Sequence, residues 1–194
     1  MTDTRTTDTR TTDTTRSDAT MTEHEPRTGP ICVIVGAPGA GKTTTGSVVA
    51  ELLGVPFRDT DVDIEATAGK PIPEIFVDDG EPHFRTLERS AVATALGSFD
   101  GVLALGGGAV LTEETRAALG GQSVVHLSVS LGEAVRRVGL TSGRPLLALN
   151  PRAMLKHLLE QRLPLYEQVA TVTVATDGRT PREIAEEIVA LLKG

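Results

Sequence analysis

From residue 31 onward, short aliphatic and β-branched runs alternate with stretches whose apolar positions recur every three or four residues. The runs lie at 31–35 (Ile-Cys-Val-Ile-Val), 55–59, 101–105, 123–128 and 170–175. Most are continuously apolar, not alternating, as strands covered on both faces require. Between them, Val48, Val49, Leu52 and Leu53 share one helical stripe, as do Ile184, Ile188, Leu191 and Leu192. Ser130-x-x-Glu133 and Thr180-x-x-Glu183 read as capping boxes, and Pro181 suits the first helical position. The pattern predicts an α/β three-layer sandwich built on a five-stranded parallel sheet. Ligands of such sheets bind beyond the carboxyl ends of the strands. Chemistry is therefore expected just after residues 35, 59 and 105.

Three segments depart from the alternation. Residues 1–29 repeat Thr-Asp-Thr-Arg units with almost nothing apolar, so a disordered tail is expected ahead of a single domain over 30–194. Lacking an apolar run and regularly acidic, the tail reads as neither a secretory signal nor a transit peptide. Residues 60–98 are too long for a simple crossover and read as a substrate-binding insert of several short helical pieces. Residues 139–151, bounded by Gly and Pro, read as a mobile lid.

The first strand runs into Gly36-Ala37-Pro38-Gly39-Ala40-Gly41-Lys42-Thr43, with Thr44 following. This fits G-x-x-x-x-G-K-[ST], in which a glycine-rich loop turns backbone N–H groups around phosphate oxygens. Lys42 is placed to reach the β- and γ-phosphates, and the Thr43 hydroxyl to ligate Mg²⁺. The following helix offers its N-terminus to the anion.

At the end of the second strand stand Asp59-Thr60-Asp61. The third candidate strand, Val102–Leu105, runs into Gly106 instead of an acid, which leaves Asp59 to hold Mg²⁺ through water. Asp61 faces the acceptor hydroxyl, orienting it or taking its proton. The alternative is that the pair only caps the next helix. Gly106-Gly107-Gly108 lets a ligand approach the backbone and leaves N–H groups for its oxygens, unless it is a loose turn. Arg85, Arg144 and Arg162 are further candidates. Glu88, three residues after Arg85, could simply pair with it. Arg144 sits in the lid, from which a guanidinium could meet the charge of a transferring phosphoryl group.

Composition narrows the partners. Net charge is −7. Residues 1–29 hold four Arg against four Asp and two Glu, which leaves −5 for the rest. Such a balance argues against a nucleic-acid partner. No run approaches the roughly 20 apolar residues of a membrane span. The single Cys32 lies in the first strand and reads as a buried small hydrophobe in a reducing, cytoplasmic setting.

Taken in order, Gly36–Thr43, Asp59-Thr60-Asp61, Phe84-Arg85, Leu105-Gly-Gly-Gly-Ala109, Arg144-Pro-Leu-Leu147 and Arg162-x-Pro-Leu-Tyr166 closely resemble the shikimate kinase family from residue 30 to about 185. The resemblance implies a P-loop NTPase fold of the nucleoside-monophosphate-kinase type. It implies ATP- and Mg²⁺-dependent phosphorylation of the shikimate 3-hydroxyl, a step towards chorismate and the aromatic amino acids, by a cytoplasmic enzyme taken to be a monomer. It implies Lys42 and Thr43 on phosphate and metal, Asp59 on the metal, and Asp61 on the shikimate hydroxyls. Arg85 and Arg162 would grip the carboxylate, Gly106 to Gly108 would donate to the substrate, and Arg144 would meet the transferring phosphoryl. Arg137, Arg179 and Pro181 would lie near the adenine. Rival expectations are another small-metabolite kinase, such as a gluconate kinase, and a catalytically idle ATP-binding relative.

Overall fold

The computed structural model describes residues 29–140 and 151–193. Of the tail expected over 1–29, residues 1–28 lie outside the described residues, as do residues 141–150 with Arg144. Five strands form one parallel sheet: β1 (Cys32–Val35), β2 (Phe57–Asp59), β3 (Val102–Ala104), β4 (Val124–Ser128) and β5 (Val172–Ala175). Each falls inside a run that the sequence marks as strand. Their order is β2-β3-β1-β4-β5. Chain direction across the sheet therefore reverses beside β1, where doubly wound sheets open their ligand crevice.

Helices cover both faces. Alternate strand residues Cys32, Ile34, Val102, Val125, Leu127 and Val174 pack on α1 (Lys42–Leu53) and α8 (Pro181–Lys193). The other set, including Val33, Val35, Leu103 and Val124, packs on α4 (Gly80–Ser98) and α7 (Pro151–Val169), with the short α5 (Glu113–Ala118) beside them. The β1 residues are completely buried, which explains their unbroken apolarity. Cys32 is one of them, and burial pushes its thiol up to about 12, so it is an inert core side chain.

The insert contains α2 (Thr60–Ala68), α3 (Ile72–Asp78) and the first half of α4. Ile64, Ile75 and Phe84 give it a small core of its own. In place of only short pieces, its last element is a 19-residue helix. The reason is a double role: Phe84 serves the insert, whereas Val92, Ala95 and Leu96 pack on the sheet as the crossover from β2 to β3.

The capping box at α8 is complete. Thr180 N donates to Glu183 Oε2 at 2.7 Å, and Glu183 N to Thr180 Oγ1 at 3.3 Å. The one at α6 (Leu131–Leu140) forms by half. Ser130 Oγ accepts from Glu133 N, but Ser130 N donates to Asp177. Glu133 turns instead to Arg136 and Arg137. Gly139 and Leu140 close α6, and Pro151 opens α7, so the ends of the expected lid are helical.

Candidate active site

The neighbouring strands β2, β3 and β1 end level with one another, since Ala104 pairs in register with both Asp59 and Ile34. Three loops therefore emerge side by side: the Asp59–Asp61 turn, the glycine triplet and the P-loop.

The P-loop leaves β1 at Gly36 with φ 152°, and a Cβ there would stand 2.6 Å from the Leu127 carbonyl oxygen. Only glycine meets both demands. Ala37 and Ala40 are buried beneath the loop, while Pro38 lies on the side of Gly107. Lys42 opens α1 and folds back, its Nζ donating to the carbonyls of Gly36 at 2.8 Å and Ala37 at 3.3 Å. The ammonium thus sits within the concavity that the loop encloses. Thr43 and Thr44 are exposed in the first turn, and Thr43 Oγ1 donates to Asp59 Oδ2 at 2.7 Å.

Asp59 uses both carboxylate oxygens. Its Oδ1 accepts from Asp61 N at 3.0 Å and caps α2. The helix cap that the sequence offers as the alternative for the Asp pair is thus formed by Asp59, whose other oxygen pairs with Thr43. Between them Thr60 is fully buried, and its Oγ1 accepts from Gly106 N at 3.1 Å. That amide is therefore engaged, whereas the glycine run predicts one left open for a ligand. Gly107 and Gly108 keep N–H groups without a partner among the described residues.

In the triplet, side chains press against two of the three glycines. A Cβ on Gly106 would overlap Asp61 Oδ1, and one on Gly108 would overlap Arg85 Nη1. Gly107 faces the P-loop, where an added Cβ would lie 3.4 Å from Gly36 O and Pro38 Cδ. On its other side Gly107 O accepts from Arg162 Nη1 at 2.9 Å and from the Tyr166 hydroxyl at 2.6 Å. The triplet thus gathers Asp61, Arg85 and Arg162 around one stretch of backbone beside the phosphate loop.

Arg85 is held by Glu88, at 2.7 Å from Nη1, and by Glu81, at 2.9 Å from Nη2. Pairing with Glu88, expected as an alternative, is real. It also has a consequence that spacing could not reveal, because Glu88 is only 1% exposed. Burial pushes the Glu88 carboxyl above its ordinary range, and Asp61 adds to this, while Arg85 and then Arg162 oppose it. Glu88, Thr60 and Tyr166 are the site residues to which sequence reasoning assigned no role there. Their motifs were visible, but their burial was not.

Arg137 and Arg179 meet at the end of β5. Arg137 donates to Thr176 O at 2.8 Å, to Thr176 Oγ1 at 3.1 Å and to the P-loop carbonyl of Gly39 at 3.2 Å. It braces the loop from outside. Arg179 donates to Ala175 O and pairs with Glu187, just ahead of Pro181 at the start of α8. Among the described residues no group of three or more His, Cys, Asp or Glu side chains is placed to hold a metal. The Thr43–Asp59 pair offers hard oxygen donors at the mouth of the P-loop, the donor type that Mg²⁺ takes when phosphates supply its other ligands.

A parallel sheet with a P-loop on its first strand, an acid–hydroxyl pair beside it and an arginine-flanked acceptor niche defines a P-loop kinase of small metabolites. Comparison with known proteins agrees. The family model described as shikimate kinase matches residues 38–193. A shikimate kinase of Salinispora tropica is 73% identical over 163 residues, covering 84% of this chain and 98% of that one. The solved structure of shikimate kinase from Acinetobacter baumannii in complex with shikimate superposes with a TM-score of 0.79 at 38% identity, over 86% of this chain and 93% of that one. The chain belongs to the shikimate kinase family. A gluconokinase from Sinorhizobium meliloti, 23% identical over 86% of this chain and 93% of that one with a TM-score of 0.50, shares the fold alone.

Proposed function

We propose that the protein transfers the γ-phosphoryl group of ATP to the 3-hydroxyl of shikimate, giving shikimate 3-phosphate and ADP, on the path to chorismate and the aromatic amino acids. The observation that carries this reading is the glycine triplet, which draws an acid and two arginines together next to the P-loop. Shikimate is a polyol with one carboxylate. It calls for forked cationic donors at one end and a carboxylate at the reacting hydroxyl.

In this reading residues 36–44 wrap the triphosphate, and Lys42 passes from the loop carbonyls to the β- and γ-phosphates. Arg137, Arg179 and Pro181 border the adenine, with Arg137 also fixing the loop. Thr43 and Asp59 hold Mg²⁺, which when bound neutralises charge on the phosphate oxygens. Arg85 and Arg162 take the shikimate carboxylate, and the Gly107 and Gly108 amides face the substrate. Asp61 orients the 3-hydroxyl and accepts its proton as the O3–P bond forms and the bond from P to the bridging oxygen of ADP breaks. Arg144 is assigned to the transferring phosphoryl. Exposed large apolar residues are spread over several elements, which suits a monomer. No described helix is long and apolar enough to cross a membrane.

The test is ADP release with ATP and Mg²⁺ in the presence of shikimate, gluconate or no acceptor. Release that depends on shikimate and disappears in Lys42→Ala is expected. Dependence on gluconate would move the protein to another kinase of this fold. ATP binding without turnover would leave an idle relative.

A further inference from the structure

Tyr166 lies on α7 four residues beyond Arg162, is 1% exposed, and donates to the same carbonyl oxygen, that of Gly107, at 2.6 Å. Its ring stacks on His126 of β4, with centroids 5.1 Å apart and planes 21° apart. His126 is itself buried, with Thr173 Oγ1 at 3.4 Å from Nδ1, and both rings border a cavity of about 210 Å³ beneath Ala37 of the P-loop.

We propose that Tyr166, seated by His126, is a positioning residue for the acceptor: its hydroxyl holds the Gly107 peptide so that Arg162 and the triplet keep the geometry that shikimate meets. The inference rests on the assignment of Arg162 and the triplet to shikimate. A run of three glycines has no side chain to fix its peptides, so hydrogen bonds must do it. Gly106 is held by Thr60 and Ala109, and Gly108 O by Leu111. Among the described residues, Gly107 O has only Tyr166 and Arg162.

Arg162 has a second demand on it. Its Nε is buried with no hydrogen-bond partner among the described residues, so an arriving carboxylate finds an unmet donor there. A guanidinium drawn to a substrate loosens its hold on Gly107. Tyr166 then keeps that carbonyl paired. The phenol is suited to this because burial pushes its ionisation up to about 12, and it remains a donor at every working pH.

The test is steady-state kinetics of Tyr166→Phe, which retains ring, volume and stack but loses the hydroxyl. The shikimate KM should rise about tenfold, equivalent to about 1.4 kcal/mol. The ATP KM and kcat should stay within about twofold. An unchanged shikimate KM, or an equal rise for both substrates, would show a side chain that only fills the core. In parallel, His126→Phe, which keeps an aromatic partner, should leave the shikimate KM near wild type, and His126→Ala should raise it severalfold. If Tyr166→Phe does not fold, this pair decides, and equal values for the two His126 variants would overturn the proposal. Wild-type protein inactive on shikimate would overturn both this proposal and the activity assignment beneath it. Active wild type with an unmoved Tyr166→Phe KM would overturn this proposal alone.

Discussion

Asp61 is the residue at which chemistry and backbone meet most closely, since its carboxylate lies against Gly106 with no room for a methyl group. Asp61→Asn keeps the shape and removes the base. A positioned base contributes roughly 10²- to 10⁴-fold, so kcat should fall by about that factor while ATP binding, followed by calorimetry, is retained. Near-normal turnover would take Asp61 out of the acceptor role. Tyr166 offers a second check, because it is the only tyrosine and the chain has no tryptophan. Alkaline absorbance titration therefore reads one group, which should ionise near 12 in place of its usual 10. The raised native value means that the folded state keeps the proton longer. The associated stability is present below pH 10 and is lost as pH rises towards 12. Tyr166→Phe should show a smaller alkaline decline in denaturation curves, the buried Cys32 thiol supplying part of what remains, and an identical decline in both proteins would contradict the buried phenol.

At the scale of elements, α4 carries the clearest coupling of stability to binding. Arg85→Ala removes a group proposed to take the shikimate carboxylate and also strands Glu88, whose side chain is 2% exposed. Breaking such a buried pair costs about 3–5 kcal/mol. The variant should therefore melt markedly earlier as well as bind shikimate weakly. Adding Glu88→Gln should restore much of the melting temperature without restoring the shikimate KM. Recovery of both would mean that Arg85 acts only through folding. On α6, Arg136 and then Arg137 hold the Glu133 carboxyl down to about 2 against an ordinary 4.5. That contribution is present above pH 4.5 and is lost as pH falls through 2. Urea midpoints of wild type and Glu133→Gln should differ at pH 7 and converge near pH 2, whereas a gap that persists at pH 2 would assign it to packing.

Elements were largely legible in the chain because burial on both faces forces unbroken apolar strands, and capping chemistry marks helix starts. The length of α4 was not legible. Its buried positions Phe84, Glu88, Val92, Ala95 and Leu96 share one stripe, but the charged Glu88 interrupts the apolar run where the helix passes from the insert to the sheet. The swap of Glu133 for Asp177 at the start of α6 was equally hidden, because Asp177 arrives from 47 residues away. Motif spacing placed the P-loop, the Asp pair and the triplet at strand ends. It did not tell which polar groups are already spent on one another, as Gly106 N is on Thr60 and Thr43 is on Asp59.

Across the whole molecule, strand order accounts for the juxtaposition. Placing β3 between β2 and β1 sets the glycine triplet between the acid turn and the phosphate loop, although Gly36, Asp59 and Gly106 are far apart in sequence. In the proposed reaction, an acceptor on the triplet would have the γ-phosphate on one side and Asp61 on the other. The most direct test of this arrangement is phosphorus NMR of the protein with ATP, Mg²⁺ and shikimate. As the γ-phosphate signal of ATP declines, one phosphomonoester coupled to the proton on carbon 3 should appear, and Asp61→Asn should form it far more slowly. Release of inorganic phosphate alone, or an ester on another hydroxyl, would contradict the arrangement.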